Sequence, residues 1–481
     1  MHIPLDRDSS IPLYQQVQDY LRNHIQTGQL APNMRLPATR RLAKDLGVSR
    51  ITIQNAYANL ESEGLITNRE GSGSYVAPPV MMKTPVSQSS SSLPLWQQDL
   101  QIKTSKAQPP SHSPHPDLIS FTGVGDPNQF PLKDFHKSIR AIFQQKGIEA
   151  LAYGDFGAGY LPLRQTISHI LASQGIQTHP ENVLITTGSQ QAIALVCQIL
   201  LNPGDVVLVE KPTYNMALDL FRTLDLKIVG VPVDKDGMQV DRLEPLLQQH
   251  HPKLLYTIPN FQNPSGMCLS RERRRQLLTL AERYNVPILE DDFVGDLRYN
   301  GRSLPAIKAL DPDGRVIYVG TFSKMLMPGL RVGYLVADGP VFDRLVKLKQ
   351  VSDLTTSPLI QHTLNEYVSV GRYQAHLRRS VRLYHKRRDA MITAIEKHLP
   401  DVDIMSPQGG LFIWLRLPNS LSALALLPFA SKEGVAYAPG SWFFPESSEG
   451  LSFLRLNFAV QTPEAIEEGI QRLGRAMAQW D

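Results

Sequence analysis

Residues 320–334 read G-T-F-S-K-M-L-M-P-G-L-R-V-G-Y. One lysine, Lys324, follows two small hydroxyl residues, Thr321 and Ser323, and an arginine, Arg331, comes seven positions later. An amine able to condense with an aldehyde thus stands beside hydroxyls and a guanidinium able to hold a phosphate. The stretch therefore suits a group carrying both an aldehyde and a phosphate.

Working outward, the chain from Leu118 onward alternates apolar runs with helical stretches. The runs 183–186, 206–209, 254–258, 288–290 and 316–319 read as buried strands. This is an α/β pattern with a mostly parallel sheet and no internal repeat. Gly188, Ser189 and Gln190 lie after the first run and before a helix, where backbone N–H groups and a hydroxyl form a natural phosphate cup. Tyr214, in E-K-P-T-Y, can stack on a ring face, and Asp291, in I-L-E-D-D-F, can keep a pyridine nitrogen protonated. Asn263, in P-N-F-Q-N-P-S-G, can donate to a ring oxygen. A Schiff-base lysine, an acid on the ring nitrogen, a stacked aromatic and a phosphate cup are what pyridoxal 5′-phosphate (PLP) requires of a protein. Singly, each motif has a plainer reading: a surface lysine, a turn, a solvated strand end. Their ordered succession is what points to PLP.

These segments, in this order, resemble the fold-type I aminotransferases over about residues 118–481. The resemblance implies two further roles. Tyr153, in A-Y-G-D-F-G, matches a tyrosine that reaches the phosphate from the partner subunit. Arg455, in F-L-R-L-N-F-A, matches the arginine that pairs with a substrate or effector α-carboxylate, although alone it reads equally as half of a structural ion pair. One departure stands out: many relatives carry tyrosine where this chain has Phe293. Without that hydroxyl beside Asn263, the bound imine should have a raised pKa and a weaker catalytic setting.

The N-terminal segment, residues 1–79, has a different pattern. Leu13, Val17, Leu21 and Ile25 recur every four residues, predicting an amphipathic helix that ends near Gly28. A second helix is predicted over 39–46, Gly47-Val48 makes a turn, and Ser49 caps a third helix from Arg50 to about Glu63. Ile53, Ala56, Tyr57 and Leu60 form its inward face. Two short strands around a glycine-containing tip follow, which completes a winged helix. L-P-A-T-R-R-L-A at 36–43, G-V-S-R-I-T-I at 47–53 and G-S-G-S-Y-V at 71–76 resemble the GntR-type winged-helix repressors, although that family often has Glu where this chain has Thr39. By position the resemblance gives contacts with double-stranded DNA to Arg40, Arg50, Thr52, Gln54 and Gly71. A winged helix used for protein contacts is the competing reading.

Residues 80–117 hold six prolines and eight serines in 38 positions, a composition that cannot bury a core and reads as a linker. As a flexible coil it averages roughly 30–37 Å end to end. The whole chain has 481 residues, 42% hydrophobic, with a net charge of +4. That charge is too small to argue for nucleic acid by itself. No apolar run is long enough for a membrane span, and no signal peptide is legible. Cys197 and Cys268 suggest neither a disulfide framework nor a metal site, so the expectation is a cytoplasmic protein.

Together the three parts resemble the MocR subfamily of GntR-type regulators over the entire chain. The resemblance implies a homodimer that binds promoter DNA and senses PLP, or an aldimine of PLP with an amino compound. The alternatives are a working aminotransferase with an accessory DNA-binding domain, or an empty PLP fold used for dimerisation. Phe293 counts against efficient turnover, and the presence of Lys324 and Asp291 counts against an empty scaffold.

Overall fold

The computed structural model describes residues 3–7, 9, 11–69, 72–77, 117–123, 125–154, 157–418 and 421–479. By contact the chain separates into two units, Met1–Gln101 and Ile102–Asp481. Of the expected linker at 80–117, only Asp117 is among the described residues.

In the first unit, three helices pack before a hairpin: α1 (Leu13–Gln26), α2 (Thr39–Leu46) and α3 (Arg50–Ser62). Gly47 ends α2 at φ +64°, a conformation that side chains disfavour, and a Cβ there would lie 3.1 Å from the Arg7 guanidinium. Ser49 then starts α3, its hydroxyl accepting the Thr52 N–H at 3.2 Å. Ile53, Ala56, Tyr57 and Leu60 turn inward against Val17, Leu21 and Leu42. Full burial of one such larger apolar side chain contributes about 1.5–3 kcal/mol. Gln18 links α1 to α3 by donating to Glu63 at 2.6 Å and accepting from Asn59 at 2.9 Å. The wing is an antiparallel pair, β1 (Ile66–Arg69) and β2 (Gly73–Val76), with Ile66 opposite Val76.

The second unit opens with a short strand, β3 (Ile119–Ser120). Its main sheet is built from β4 (Val183–Thr186), β5 (Val206–Lys211), β6 (Lys227–Asp234), β7 (Gly237–Met238), β8 (Leu254–Thr257), β9 (Ile288–Asp292), β10 (Val316–Thr321) and β11 (Gly333–Val336). The order across the sheet is β4-β11-β10-β9-β8-β5-β6-β7. Neighbours from β10 through β6 run parallel, while β11 is antiparallel to both β10 and β4. The four residues of β4 and of β8 and all six of β10 are buried, as expected of strands covered on both faces. The five strands expected from sequence are present; β6, β7 and β11 come in addition.

A smaller antiparallel sheet follows from β12 (Asp403–Met405) and β13 (Phe412–Arg416), while β14 (Val435–Ala436) pairs with β3. Strands β15 (Ala438–Pro439) and β16 (Phe453–Asn457) complete the order β12-β13-β16-β15. The main sheet brings the carboxyl ends of β4, β5, β8 and β10 to one edge, where ligands of open α/β sheets bind. Among the described residues no helix is long and apolar enough to cross a membrane.

Candidate cofactor pocket and DNA-reading surface

The carboxyl edge of the main sheet opens on a cavity of about 190 Å³ lined by Ser189, Tyr214, Asn263, Asp291, Lys324 and Arg455. Six residues singled out in sequence, spread over some 270 positions, thus meet on one wall. Phe293, Phe412, Ile258, Asn215 and Met216 complete the lining.

Asp291 projects from β9 and is 3% exposed. Its Oδ2 accepts from the Tyr256 hydroxyl at 2.8 Å, while its buried Oδ1 has no partner among the described residues. Burial, above all, pushes its pKa up to about 7 against the pull of Tyr256, with Asp292 adding to the rise. The Lys324 charge pulls it down only in part, and a protonated ring nitrogen at Oδ1 would pull it down further. Lys324 is shifted the opposite way, down to about 8, by burial and then by the charge of Arg455. Both shifts favour the neutral forms, as desolvation requires.

Of the expected phosphate-cup residues Ser189 alone lines the cavity; with Gln190 it opens the helix Ser189–Leu200. Gly188 precedes it at φ +88°, and a Cβ there would come within 2.5 Å of Arg331 Nη2, so only glycine lets the guanidinium approach. Arg331 is exposed and donates to the Thr187 carbonyl at 3.3 Å. Thr321 Oγ1 accepts the Ser323 N–H at 3.1 Å, and the buried Ser323 Oγ has no partner among the described residues. Gln190 is turned partly to other work, since its Nε2 donates to the Met216 carbonyl at 3.1 Å. Tyr153 lies outside this lining and is 65% exposed.

Arg455, on β16, is 8% exposed and donates from Nη1 to Asn263 Oδ1 at 2.8 Å. Its guanidinium lies 4.1 Å from the Phe412 ring centre and 4.9 Å from that of Phe443. Burial pulls its pKa down to about 10, with Tyr214 opposing, and its Nε is buried without a partner. Among the described residues it forms no ion pair, so the structural-pair reading finds no acid to fill it. A buried cation without an anion is costly, and a carboxylate from outside would relieve it.

Phe293 occupies the place of the missing hydroxyl. It is 7% exposed and stacks on Phe412 with ring centres 6.3 Å apart. Sequence reading missed Tyr256, Phe412 and Phe443. The one signal for Tyr256 was a lone tyrosine in the aliphatic run L-L-Y-T-I.

The residue set fits PLP: an unpartnered carboxylate oxygen, a lysine whose charge burial disfavours, a tyrosine on the cavity lining and a serine that opens a helix. PLP, when bound, supplies an aldehyde carbon for an amine and a ring that withdraws electrons.

On the first unit, Arg40, Arg50 and Gln54 are exposed, and so is the added basic group Lys44. Thr52 is half-buried and its hydroxyl is engaged with Ser49 Oγ at 2.8 Å, which ties it to the helix cap. Gly71, expected at the wing tip, lies outside the described residues.

Comparison with known proteins agrees with this division. The family model "Bacterial regulatory proteins, gntR family" matches residues 13–76, and "Aminotransferase class I and II" matches residues 122–473. The HTH-type transcriptional regulator YdcR of Escherichia coli is 36% identical over 96% of this chain and 98% of its own length. The "Probable rhizopine catabolism regulatory protein MocR" of Rhizobium meliloti is 32% identical over 98% of this chain and 95% of its own. Among solved structures, a kynurenine aminotransferase of Pyrococcus horikoshii in complex with PMP is 38% identical. It covers 76% of this chain and 91% of its own, with a TM-score of 0.73.

Proposed function

Since the chain belongs to the MocR-type regulators of the GntR family, with an aminotransferase class I and II domain behind a DNA-binding head, we propose that it senses PLP or an adduct of PLP with an amino compound and regulates transcription accordingly. The observation that carries this reading is that two buried groups of one cavity lack partners. Among the described residues Asp291 Oδ1 accepts no hydrogen bond and Arg455 faces no acid, with Lys324 lining the same cavity.

In this reading Lys324 Nζ holds the aldehyde carbon, Asp291 holds the ring nitrogen protonated, and Tyr214 covers a ring face. Gly188, Ser189, Gln190, Thr321, Ser323 and Arg331 surround the phosphate, Asn263 faces the ring oxygen, and Arg455 takes the effector's carboxylate. A homodimer accounts for Tyr153, which would act toward the partner subunit. Exposed Leu132, Ile148 and Leu151 in the preceding segment support such an interface. Arg40, Arg50, Thr52, Gln54 and Gly71 carry DNA contacts, Thr52 chiefly by holding the helix start. The domain limits 1–79, 80–117 and 118–481 belong to the same reading. An effector shifts such a regulator only through unequal affinity for two states of the chain.

The competing reading, an efficient aminotransferase, has in its favour the complete set of Lys324, Asp291 and Arg455. Phe293 weighs against it. The two are separated by assaying purified full chain with PLP, amino acids and keto acids, alongside binding to DNA upstream of its own gene. We expect DNA binding with turnover below the range of typical enzymes, on the order of 1–10³ s⁻¹. Turnover in that range without DNA binding would reverse the assignment.

A further inference from the structure

Beyond Arg455 the structure holds a second cavity, of about 370 Å³, whose lining includes Leu118, Leu427, Tyr437, Trp442, Phe443 and again Arg455. Arg455 therefore borders both this space and the PLP pocket. Its size falls in the range of small-molecule sites, roughly 300–1,000 Å³. The chemistry of its wall is one-sided. Arg455 is the one charged residue among those that line it, and no acid does. The Tyr437 hydroxyl is already used, donating to the Ala423 carbonyl at 2.6 Å. Trp442 differs: its indole Nε1 is buried and has no acceptor among the described residues. An indole N–H is donor only, and a buried donor without an acceptor carries a desolvation penalty.

We propose that this cavity is the side-chain pocket of the effector, and that it takes a neutral aromatic amino acid whose ring bears a hydrogen-bond acceptor for Trp442. The inference rests on the reading of Arg455 as the carboxylate partner. With the α-carboxylate on Arg455, the side chain would meet a mostly apolar lining, to which Thr122 and Ser431 add neutral hydroxyls. An acidic side chain would find no second cation there, and a basic one no acid, so both classes are disfavoured. Tyr437, Trp442 and Phe443 favour a flat ring. The unmet Trp442 donor discriminates between rings with and without an acceptor, because a site that hydrogen-bonds a ligand group rejects the analogue that lacks it.

The test is titration of PLP-loaded full chain with tyrosine, phenylalanine, alanine and aspartate, read by absorbance change and by calorimetry. Tyrosine is expected to bind about tenfold or more tighter than phenylalanine, and phenylalanine tighter than alanine or aspartate. Trp442→Phe keeps an aromatic wall, so phenylalanine affinity should hold while the tyrosine preference disappears. Equal binding of alanine and tyrosine, or a tyrosine preference that survives Trp442→Phe, overturns the proposal. If PLP loads and Arg455→Lys loses every amino acid while Trp442→Phe changes nothing, the subsite alone is wrong. If PLP does not load at all, the subsite and the PLP reading fall together.

Discussion

Lys324→Ala is expected to abolish the absorbance band that PLP-loaded protein shows near the visible edge, and to leave the cofactor dialysable. Lys324 is the one lysine on the pocket wall. Burial pulls its pKa down to about 8, so near neutral pH a larger share of its amine is neutral than in an ordinary lysine. A neutral amine is the form that joins an aldehyde, so burial prepares Lys324 for that link. Lys324→Arg is a useful companion, because it keeps a cation near Asp291 and still cannot form the link. Both variants should lose the band while far-UV circular dichroism stays unchanged. A band that survives either substitution contradicts the assignment of Lys324.

The second large effect is expected at the DNA-reading surface. Arg50→Ala should weaken binding to the operator by about 5- to 150-fold, the equivalent of about 1–3 kcal/mol for one base-reading pair. Gln54→Ala should act similarly and relax preference at one base position. Both side chains are exposed on α3, while the buried Ile53, Ala56, Tyr57 and Leu60 hold the helix in place. Folding should therefore be left within about 0.5 kcal/mol. Fluorescence anisotropy against specific and scrambled DNA separates loss of base reading from loss of phosphate contact. Arg50→Ala protein should keep the Lys324 absorbance band. Undiminished DNA affinity in both variants would move recognition away from α3.

The winged helix was legible because its signals are local. Ser49 marks a cap, Gly47 a left-handed turn, and the spacing of Ile53, Tyr57 and Leu60 a buried face, all within one helical hairpin. The shared cavity was legible for a different reason: each residue that lines it sits just past or within a buried strand, and sequence order preserves that. What stayed hidden depends on strand neighbours. Tyr256 pairs in register with Leu289 on β9, so Asp291, two residues further on, shares its face of the sheet. No spacing in the chain announces a contact across 35 positions. Strand β6 was obscured by Gly230 and Pro232; near the sheet edge a missing N–H is tolerated, and the Pro232 carbonyl still accepts from Gln239 at 2.8 Å. Strand β11 was obscured by its position inside the cofactor segment, where Arg331 drew the functional reading. That Arg455 forms no ion pair among the described residues likewise required the folded chain, since sequence offered no way to choose between an ion pair and an arginine without an acid.

The central claim is that the state of the PLP pocket sets the affinity of the DNA-binding head. It is tested most directly by measuring operator affinity of the full chain by anisotropy, first stripped of PLP, then with PLP, then with PLP and an amino acid. The same series is run on Lys324→Ala. We predict that the wild-type affinity changes by about 5- to 150-fold between at least two of these states, the usual span of coupling free energies. The Lys324→Ala protein should bind DNA with one affinity throughout. Identical affinity of the wild-type chain in all three states, with PLP demonstrably bound, would contradict the account.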